Sequence, residues 1–134
     1  MTTIRAMPVL QVADMARSVA FYRRLGFDGQ GWDEGGETFF TIAQRGDVSL
    51  GLQLLRAEAM PVNSHWAAYL YVSDVTSLHA EFAAEGMSPT EIRHPTEYGC
   101  DDFDIRDPDG HLIAFGQARD PDPAPGLSDR RGRG

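Results

Sequence analysis

Aromatic and acidic side chains are the residues of this 134-residue chain best suited to do chemistry. Trp32 and Phe39 flank a short acidic run that contains Asp33 and Glu34. Negative charge beside aromatic planes favours a flat cation, through stacking and Coulomb attraction. The run therefore predicts part of a binding site for such a ligand. The alternative is that it forms only the solvated tip of a hairpin.

A second aromatic group lies on the apolar segment from Trp66 to Val72, which is typical of a strand. Because side chains alternate between the two faces of a strand, Tyr69 and Tyr71 share one face. We predict that these tyrosines line a ligand-binding face. Packing against helices or against another subunit is the alternative.

Most other kinds of site are missing from the sequence. One cysteine, Cys100, excludes an intrachain disulfide and a multi-cysteine zinc site. The four histidines form no HxH or HxxxH pair, and no Gly-x-Ser-x-Gly elbow or glycine-rich phosphate loop occurs. A net charge of −8 disfavours nucleic acid, and no apolar stretch approaches the roughly 20 residues that span a bilayer. We expect a cytoplasmic protein with no nucleic-acid or membrane partner.

An internal repeat with an offset of sixty residues contains these side chains. Residues 10–15 align with residues 70–75 as an apolar strand, a capping aspartate and the first apolar helical position. The same register aligns Gly26 with Gly86, each placed where a helix would end. The repeat therefore predicts two copies of one structural unit.

Each copy predicts the element order βαβββ. Asp14 and Asp74 can accept hydrogen bonds from the free N–H groups of a first helical turn, so each is a candidate N-cap. Extended segments follow each helix, separated by turns that contain glycine. These predicted strands cover residues 27–33, 38–44 and 48–55 in the first copy, and 90–93, 100–106 and 111–116 in the second.

The predicted fold class is α+β, with two βαβββ repeats that form curved mixed sheets and carry their helices on the outer side. The repeats cover about residues 6–60 and 66–117, and residues 1–118 form a single domain. Residues 119–134 are rich in Pro, Gly, Asp and Arg, so we predict a disordered tail. The concave face of the sheets is the expected place for a small ligand.

Five short segments match a known family: Pro8-Val9-Leu10, Val19-Ala20-Phe21-Tyr22, Leu25-Gly26-Phe27, Tyr98-Gly99 and Arg106-Asp107-Pro108-Asp109-Gly110-His111-Leu112. In these segments the chain resembles the bleomycin-resistance proteins of the glyoxalase/bleomycin resistance/extradiol dioxygenase superfamily, also called the vicinal oxygen chelate superfamily. The resemblance covers about residues 4–117 and implies the fold predicted above. It also implies a twofold homodimer, which in some members exchanges the first strand.

The resemblance indicates where a metal would bind. In metal-dependent members the ligands are His or Glu from the first and last strands of each repeat. The matching positions here fall near Met7, Gln53 or its neighbour Gly51, Ala67 and Ala114. These residues do not supply the donors that Zn²⁺, Ni²⁺ or Fe²⁺ require. We therefore expect neither a metal nor another cofactor.

The resemblance also implies a ligand. In bleomycin-resistance proteins aromatic side chains hold the planar tail of the drug, and acidic residues receive its cationic end. Tyr98 stands in a Tyr-Gly pair where relatives often carry Trp-Gly, so it matches one stacking position. The ligand-binding residues that we predict, with no catalytic residue among them, are Trp32, Asp33, Glu34, Phe39, Tyr69, Tyr71 and Tyr98.

We therefore expect a metal-independent binding protein that gives antibiotic resistance by sequestering a bleomycin-like, flat cationic molecule. One alternative is an enzyme of the superfamily, a lyase, isomerase or dioxygenase, with an unrecognised site. Another is a ligand-sensing or structural dimer with no role in drug resistance. The sequence does not separate this last possibility from the first.

Overall fold

The two halves of the chain have similar element orders, βαβββ in the first half and βαββ in the second. The computed structural model describes residues 1–56, 59–95 and 97–119. Two sheets have the strand orders β1-β4-β3-β2 and β5-β7-β6, which confirms the predicted α+β fold. The elements are β1 (Val9–Val12), α1 (Met15–Arg24), β2 (Asp28–Glu34), β3 (Glu37–Arg45), β4 (Val48–Leu54), β5 (Trp66–Tyr71), α2 (Val75–Ala84), β6 (Cys100–Arg106) and β7 (Leu112–Ala118).

Both helices begin and end as the sequence predicts. The carboxylates of Asp14 and Asp74 each accept a hydrogen bond from the backbone N–H three residues further on, at 3.0 Å in both cases. This contact satisfies one of the N–H groups that a first helical turn leaves free. Gly26 and Gly86 follow the helices with φ values of 88° and 72°, which favour glycine.

The first sheet is mixed, because β1 runs parallel to β4 while β3 is antiparallel to both of its neighbours. Helix α1 packs on one face through Met15 and Tyr22, which are buried. Thr41 on β3 points to the same side, since its hydroxyl lies 3.4 Å from the sulfur of Met15. Strand β2 is one of the two edge strands of the sheet, and all seven of its residues are exposed.

The second sheet packs against α2 through aromatic side chains. Phe82 is buried, and its ring centroid lies 6.0 Å from that of Phe103 and 5.2 Å from that of Phe115. Because strand side chains alternate, Asp102 and Asp104 lie on the face opposite Phe103. This face, turned away from α2, carries the polar residues discussed below.

The strand predicted over residues 90–93 is wrong. The backbones of Thr90 and Arg93 bond to β6 at separate points and form no continuous ladder, and Arg93 forms an isolated bridge with Asp102. Pro89 precedes the segment and Pro95 follows it, and a proline has no N–H to donate to a sheet. The prolines therefore explain why the segment does not extend into a strand.

The chain divides into two compact units, whose boundary lies close to that of the predicted repeats. The first contains Met1–Ala67 and Arg106–Leu112, and the second contains Ala68–Ile105 and the chain from Ile113. The short segment that joins β6 to β7 thus belongs to the first unit. The prediction of a disordered tail concerns Arg119, the last described residue, and residues 120–134, which lie outside the described residues.

This segment, Arg106–Leu112, is held in the first unit by its aspartates. Asp109, almost fully buried, accepts hydrogen bonds from the backbone N–H of Ala13 and from the Arg17 guanidinium, both at 3.1 Å. Asp107 accepts one from the Tyr22 hydroxyl at 2.8 Å. Burial, together with the Asp107 charge and hydrogen bond, raises the pKa of Tyr22. The turn therefore anchors α1 at its N-terminus and on its buried face.

Candidate functional site

The predicted site residues of the first unit lie at one end of β2 and β3. Trp32 is 43% exposed and stands opposite Phe40, with 6.1 Å between the ring centroids. The register shifts after this pair, because Asp33 stands opposite Thr38 and Phe39 has no cross-strand partner. The aromatic ring beside Trp32 is thus that of Phe40, and Phe39 is the half-buried extra residue of a β-bulge. The bulge left no signal in the sequence.

The acidic residues of this group surround the hairpin tip. Asp33 accepts a hydrogen bond from the Thr38 hydroxyl at 2.6 Å. Glu34 stands opposite Glu37, and Glu37 forms an exposed ion pair with Arg56 at 2.6 Å. Because Asp33 and Glu34 are exposed, solvent and salt screen their negative charge, which therefore acts through a weak and salt-dependent field.

The predicted site residues of the second unit form a contiguous group, which we call the tyrosine cluster: Tyr69, Tyr71 and Tyr98. The ring centroid of Tyr69 lies 5.3 Å from that of Tyr71 and 6.2 Å from that of Tyr98. The planes meet at 61° and 89°, which are edge-to-face arrangements. Tyr71 is 50% exposed and Tyr98 is 38% exposed. The structure thus brings together all three predicted tyrosines.

A buried carboxylate that the sequence analysis missed holds two of these tyrosines. Asp102 is 0% exposed, and its Oδ2 accepts hydrogen bonds from the hydroxyls of Tyr69 at 2.9 Å and Tyr98 at 2.8 Å. Its Oδ1 accepts a third from Nε of Arg93 at 3.0 Å, and Arg93 also donates to Asp104 at 2.8 Å. Burying a carboxylate is costly unless it is paired and hydrogen-bonded. The three donors therefore replace the hydrogen bonds to water that the Asp102 carboxylate loses on burial.

The electrostatics keep these hydroxyls as donors at neutral pH. Burial, followed by the hydrogen bond to Asp102, raises the pKa of Tyr98 to about 12. The same two causes raise the pKa of Tyr69. Partial burial lowers the pKa of Arg93, but its hydrogen bonds to Asp104 and Asp102 outweigh that effect and raise it overall. Two neutral phenols and a cation therefore face the Asp102 carboxylate.

A glycine makes room for the tyrosine cluster. The ring of Tyr69 lies directly over Gly116 of β7, where an added Cβ would overlap the hydroxyl and the ring. A glycine inside a strand often marks such a close approach, and this was the sequence signal that could have identified the position.

The residues at the family's metal-ligand positions do not fit a transition metal. At Gly51 an added Cβ would lie 2.9 Å from Cζ of Phe40 and 3.3 Å from Cε of Met7, so apolar side chains occupy this place. Ala67 and Ala114 offer no donor atom on their side chains. Among residues 1–56, 59–95 and 97–119, no group of three or more His, Cys, Asp or Glu could hold a metal ion.

Within the described part of the chain, neither helix has the length and apolar content needed to span a bilayer.

The class of protein is defined by its two sheets, each of which packs against one helix and comes from one half of the chain. The sequence model of the Glyoxalase/Bleomycin resistance protein/Dioxygenase superfamily matches residues 5–115. The chain belongs to this superfamily. Its sequence matches no curated protein.

Solved structures of the same fold include binding proteins and enzymes. A bleomycin resistance determinant encoded on the transposon Tn5 is 24% identical, with a TM-score of 0.71 over 87% of this chain and 99% of that one. The bleomycin-binding protein of bleomycin-producing Streptomyces verticillus, in complex with copper(II)-bleomycin, is 25% identical, with a TM-score of 0.67 over 90% and 99%. A glyoxalase-related enzyme from Clostridium phytofermentans is 17% identical, with a TM-score of 0.73 over 88% and 97%. Because one fold hosts both activities, function has to be argued from the site.

Proposed function

We propose that this protein binds a flat, cationic small molecule of the bleomycin type and confers resistance by sequestering it, without a metal of its own. The observation that carries the proposal is Tyr98, an exposed ring whose hydroxyl is fixed by buried Asp102. A ring fixed in advance loses little conformational freedom when a planar ligand stacks on it.

The first unit offers a second stacking surface. Trp32 is exposed beside Phe40, and Asp33 and Glu34 supply negative charge next to these rings. A planar cation would gain from both the aromatic surface and the field. Two relatives of the same fold are themselves bleomycin-binding proteins, which adds support to this choice of ligand.

Isothermal titration with a bleomycin tests the proposal. Tyr98→Ala should weaken binding by roughly 1–3 kcal/mol, which is about 5- to 150-fold in Kd, because it removes an aromatic anchor. Tyr98→Phe should retain most of the affinity, since the ring remains and Tyr69 and Arg93 still donate to Asp102. The double substitution Asp33→Asn with Glu34→Gln should weaken binding only modestly and reduce its dependence on salt.

The matched control is His65→Ala, which removes an exposed ring outside both predicted groups and should leave Kd unchanged. Wild-type binding that survives both Tyr98→Ala and Trp32→Ala would show that the site lies elsewhere. Absence of heat with the wild-type protein at two well-separated temperatures would refute bleomycin as the ligand, because a binding enthalpy that is zero at one temperature differs from zero at the other.

An enzyme of the superfamily is the alternative function, and the structures of glyoxalase-related relatives are its support. Elemental analysis of the purified protein separates the binding protein from the enzyme. We expect less than one metal ion per chain, because the side chains at the family's metal-ligand positions do not fit a transition metal. One Zn, Ni or Fe per chain, retained after dialysis and coupled to turnover, would favour the enzyme.

The proposal includes a cytoplasmic homodimer. Strand β2 is an edge strand with every residue exposed, and an unpaired edge favours pairing with another chain.

A further inference from the structure

Two of the three hydroxyls in the tyrosine cluster point to a buried carboxylate. The hydroxyls of Tyr69 and Tyr98 both donate to Oδ2 of Asp102, which is fully buried. The outer rings, Tyr71 and Tyr98, are the exposed ones, and each meets the central Tyr69 ring at a steep angle. A ligand that approaches Tyr71 and Tyr98 therefore meets exposed aromatic rings set at steep angles to the Tyr69 ring.

The charge behind these rings is negative. Within the described part of the chain, Asp102 and Asp104 both pair with the Arg93 guanidinium, so two carboxylates face this cation. A phenol that donates to a carboxylate gains electron density in its ring, and the negative face of an aromatic ring attracts cations. The arrangement thus strengthens the attraction of Tyr69 and Tyr98 for positive charge.

The hydrogen-bonding pattern selects among cations. Asp102 has no exposed surface and already accepts three hydrogen bonds, so it offers no free place to a ligand N–H. A primary ammonium would lose its hydrogen bonds to water, and the Tyr71 hydroxyl is a single acceptor for its three N–H groups. A quaternary ammonium has no N–H to satisfy, and aromatic cages are the usual way in which proteins recognise it.

We propose that the tyrosine cluster is a binding site for a compact onium group, of which a quaternary ammonium is the simplest example. The proposal rests on the proposed function, in that the onium would be the cationic part of the sequestered ligand, but the site can be tested without that ligand. Tyr71 and Tyr98 form its exposed walls, Tyr69 forms its floor, and Asp102 is a positioning residue that touches no ligand.

Titration of the full chain with choline, followed by NMR, tests the site directly. The control ligand is 3,3-dimethylbutan-1-ol, which has the same shape as choline but a carbon in place of the charged nitrogen. Choline should bind at least about fivefold more tightly than this neutral isostere, as expected from the usual strength of a cation–π contact. Equal affinity for the two ligands, or no binding of choline at its highest usable concentration, would overturn the proposal.

Substitution of an exposed wall residue locates the site. Tyr71→Leu should abolish the preference for choline, whereas Tyr71→Phe should keep it, because the ring and not the hydroxyl makes the contact. Tyr71 is half exposed, so neither change should disturb folding. A preference for choline that survives Tyr71→Leu would show that the cation binds elsewhere.

The role of Asp102 has its own readout. Asp102→Asn removes the charge but keeps an acceptor, so it should lower affinity for choline while affinity for the neutral isostere stays constant. Far-UV circular dichroism checks that this variant is folded, and the less invasive Tyr98→Phe provides a second measurement if it is not. If Asp102→Asn lowers the affinity for choline and for the neutral isostere equally, Asp102 has only a structural role.

Bleomycin titrations of the same variants separate this proposal from the proposed function. Discrimination between choline and its isostere without any bleomycin binding would retain the onium site and refute sequestration of bleomycin. Bleomycin binding without such discrimination would refute the onium site alone.

Discussion

Tyr69 and Gly116 illustrate how a single missing side chain positions the tyrosine cluster. The ring of Tyr69 occupies the space that any Cβ at position 116 would need, and its hydroxyl reaches Asp102 from there. A larger residue at position 116 would displace the ring and take one of three donors from a buried carboxylate. The glycine is therefore a requirement of the site as well as of the strand.

We predict that Gly116→Ala destabilises the protein by about 1–3 kcal/mol, the usual cost of forcing an extra group into a packed position. Urea unfolding followed by fluorescence measures this change. The control is the same substitution in a Tyr69→Ala background, where the ring that the methyl would overlap is absent and the change should cost much less. Equal costs in the two backgrounds would show that Tyr69 does not exert the constraint.

At the scale of the elements, local sequence patterns predicted the helices and strands whose formation depends on neighbouring residues. Apolar alternation, the capping aspartates and the glycine turns gave both helices and seven strands with boundaries within about two residues of those observed. The strand predicted over residues 90–93 does not form, because Pro89 and Pro95 flank the segment and neither has an N–H to donate to a sheet. The bulge at Phe39 could not be foreseen, since it depends on how β2 and β3 pair along their whole length.

The same distinction applies to the candidate site. Tyr69 and Tyr71 could be placed on one face because strand geometry is periodic. Asp102 was missed because an alternation of aspartates with apolar residues in β6 normally indicates a solvated face. Its burial comes from Tyr69, Tyr98 and Arg93, which lie on other segments of the chain. No pattern within β6 encodes those contacts.

The cap of α2 predicts a pH dependence of stability. The backbone N–H of Ser77 donates to Asp74 and lowers the pKa of this carboxyl below its usual 3.8. A carboxyl whose pKa is lower in the folded state stabilises the protein above the unfolded pKa, and this contribution is lost as the pH falls through the folded value.

Asp74→Asn should therefore lose less stability than the wild-type protein between about pH 5 and pH 2, because asparagine caps the helix without titrating. Thermal unfolding at a series of pH values measures the difference. Ser73→Asn, one residue before the cap, serves as the control and should follow the wild-type curve. A wild-type curve parallel to that of Asp74→Asn would contradict the prediction.

At the scale of the whole molecule, the open edge of the first sheet leads to a prediction about assembly. Light scattering at micromolar concentration should give twice the chain mass of 14.8 kDa, since pairing would cover the backbone groups that β2 leaves exposed. A mass equal to that of one chain would refute the dimer and would leave the tests of the tyrosine cluster unaffected.

The segment Arg106–Leu112, which anchors α1, also determines when the first unit can complete its folding. Ala13 and Asp109 are 96 positions apart, and Tyr22 and Asp107 are 85 apart. While the chain is being synthesised, α1 and the first sheet emerge from the ribosome long before the carboxylates that hold the helix exist. Closing so long a loop costs entropy before any contact repays it, and such distant contacts slow folding. The first unit to be translated is thus among the last to be completed.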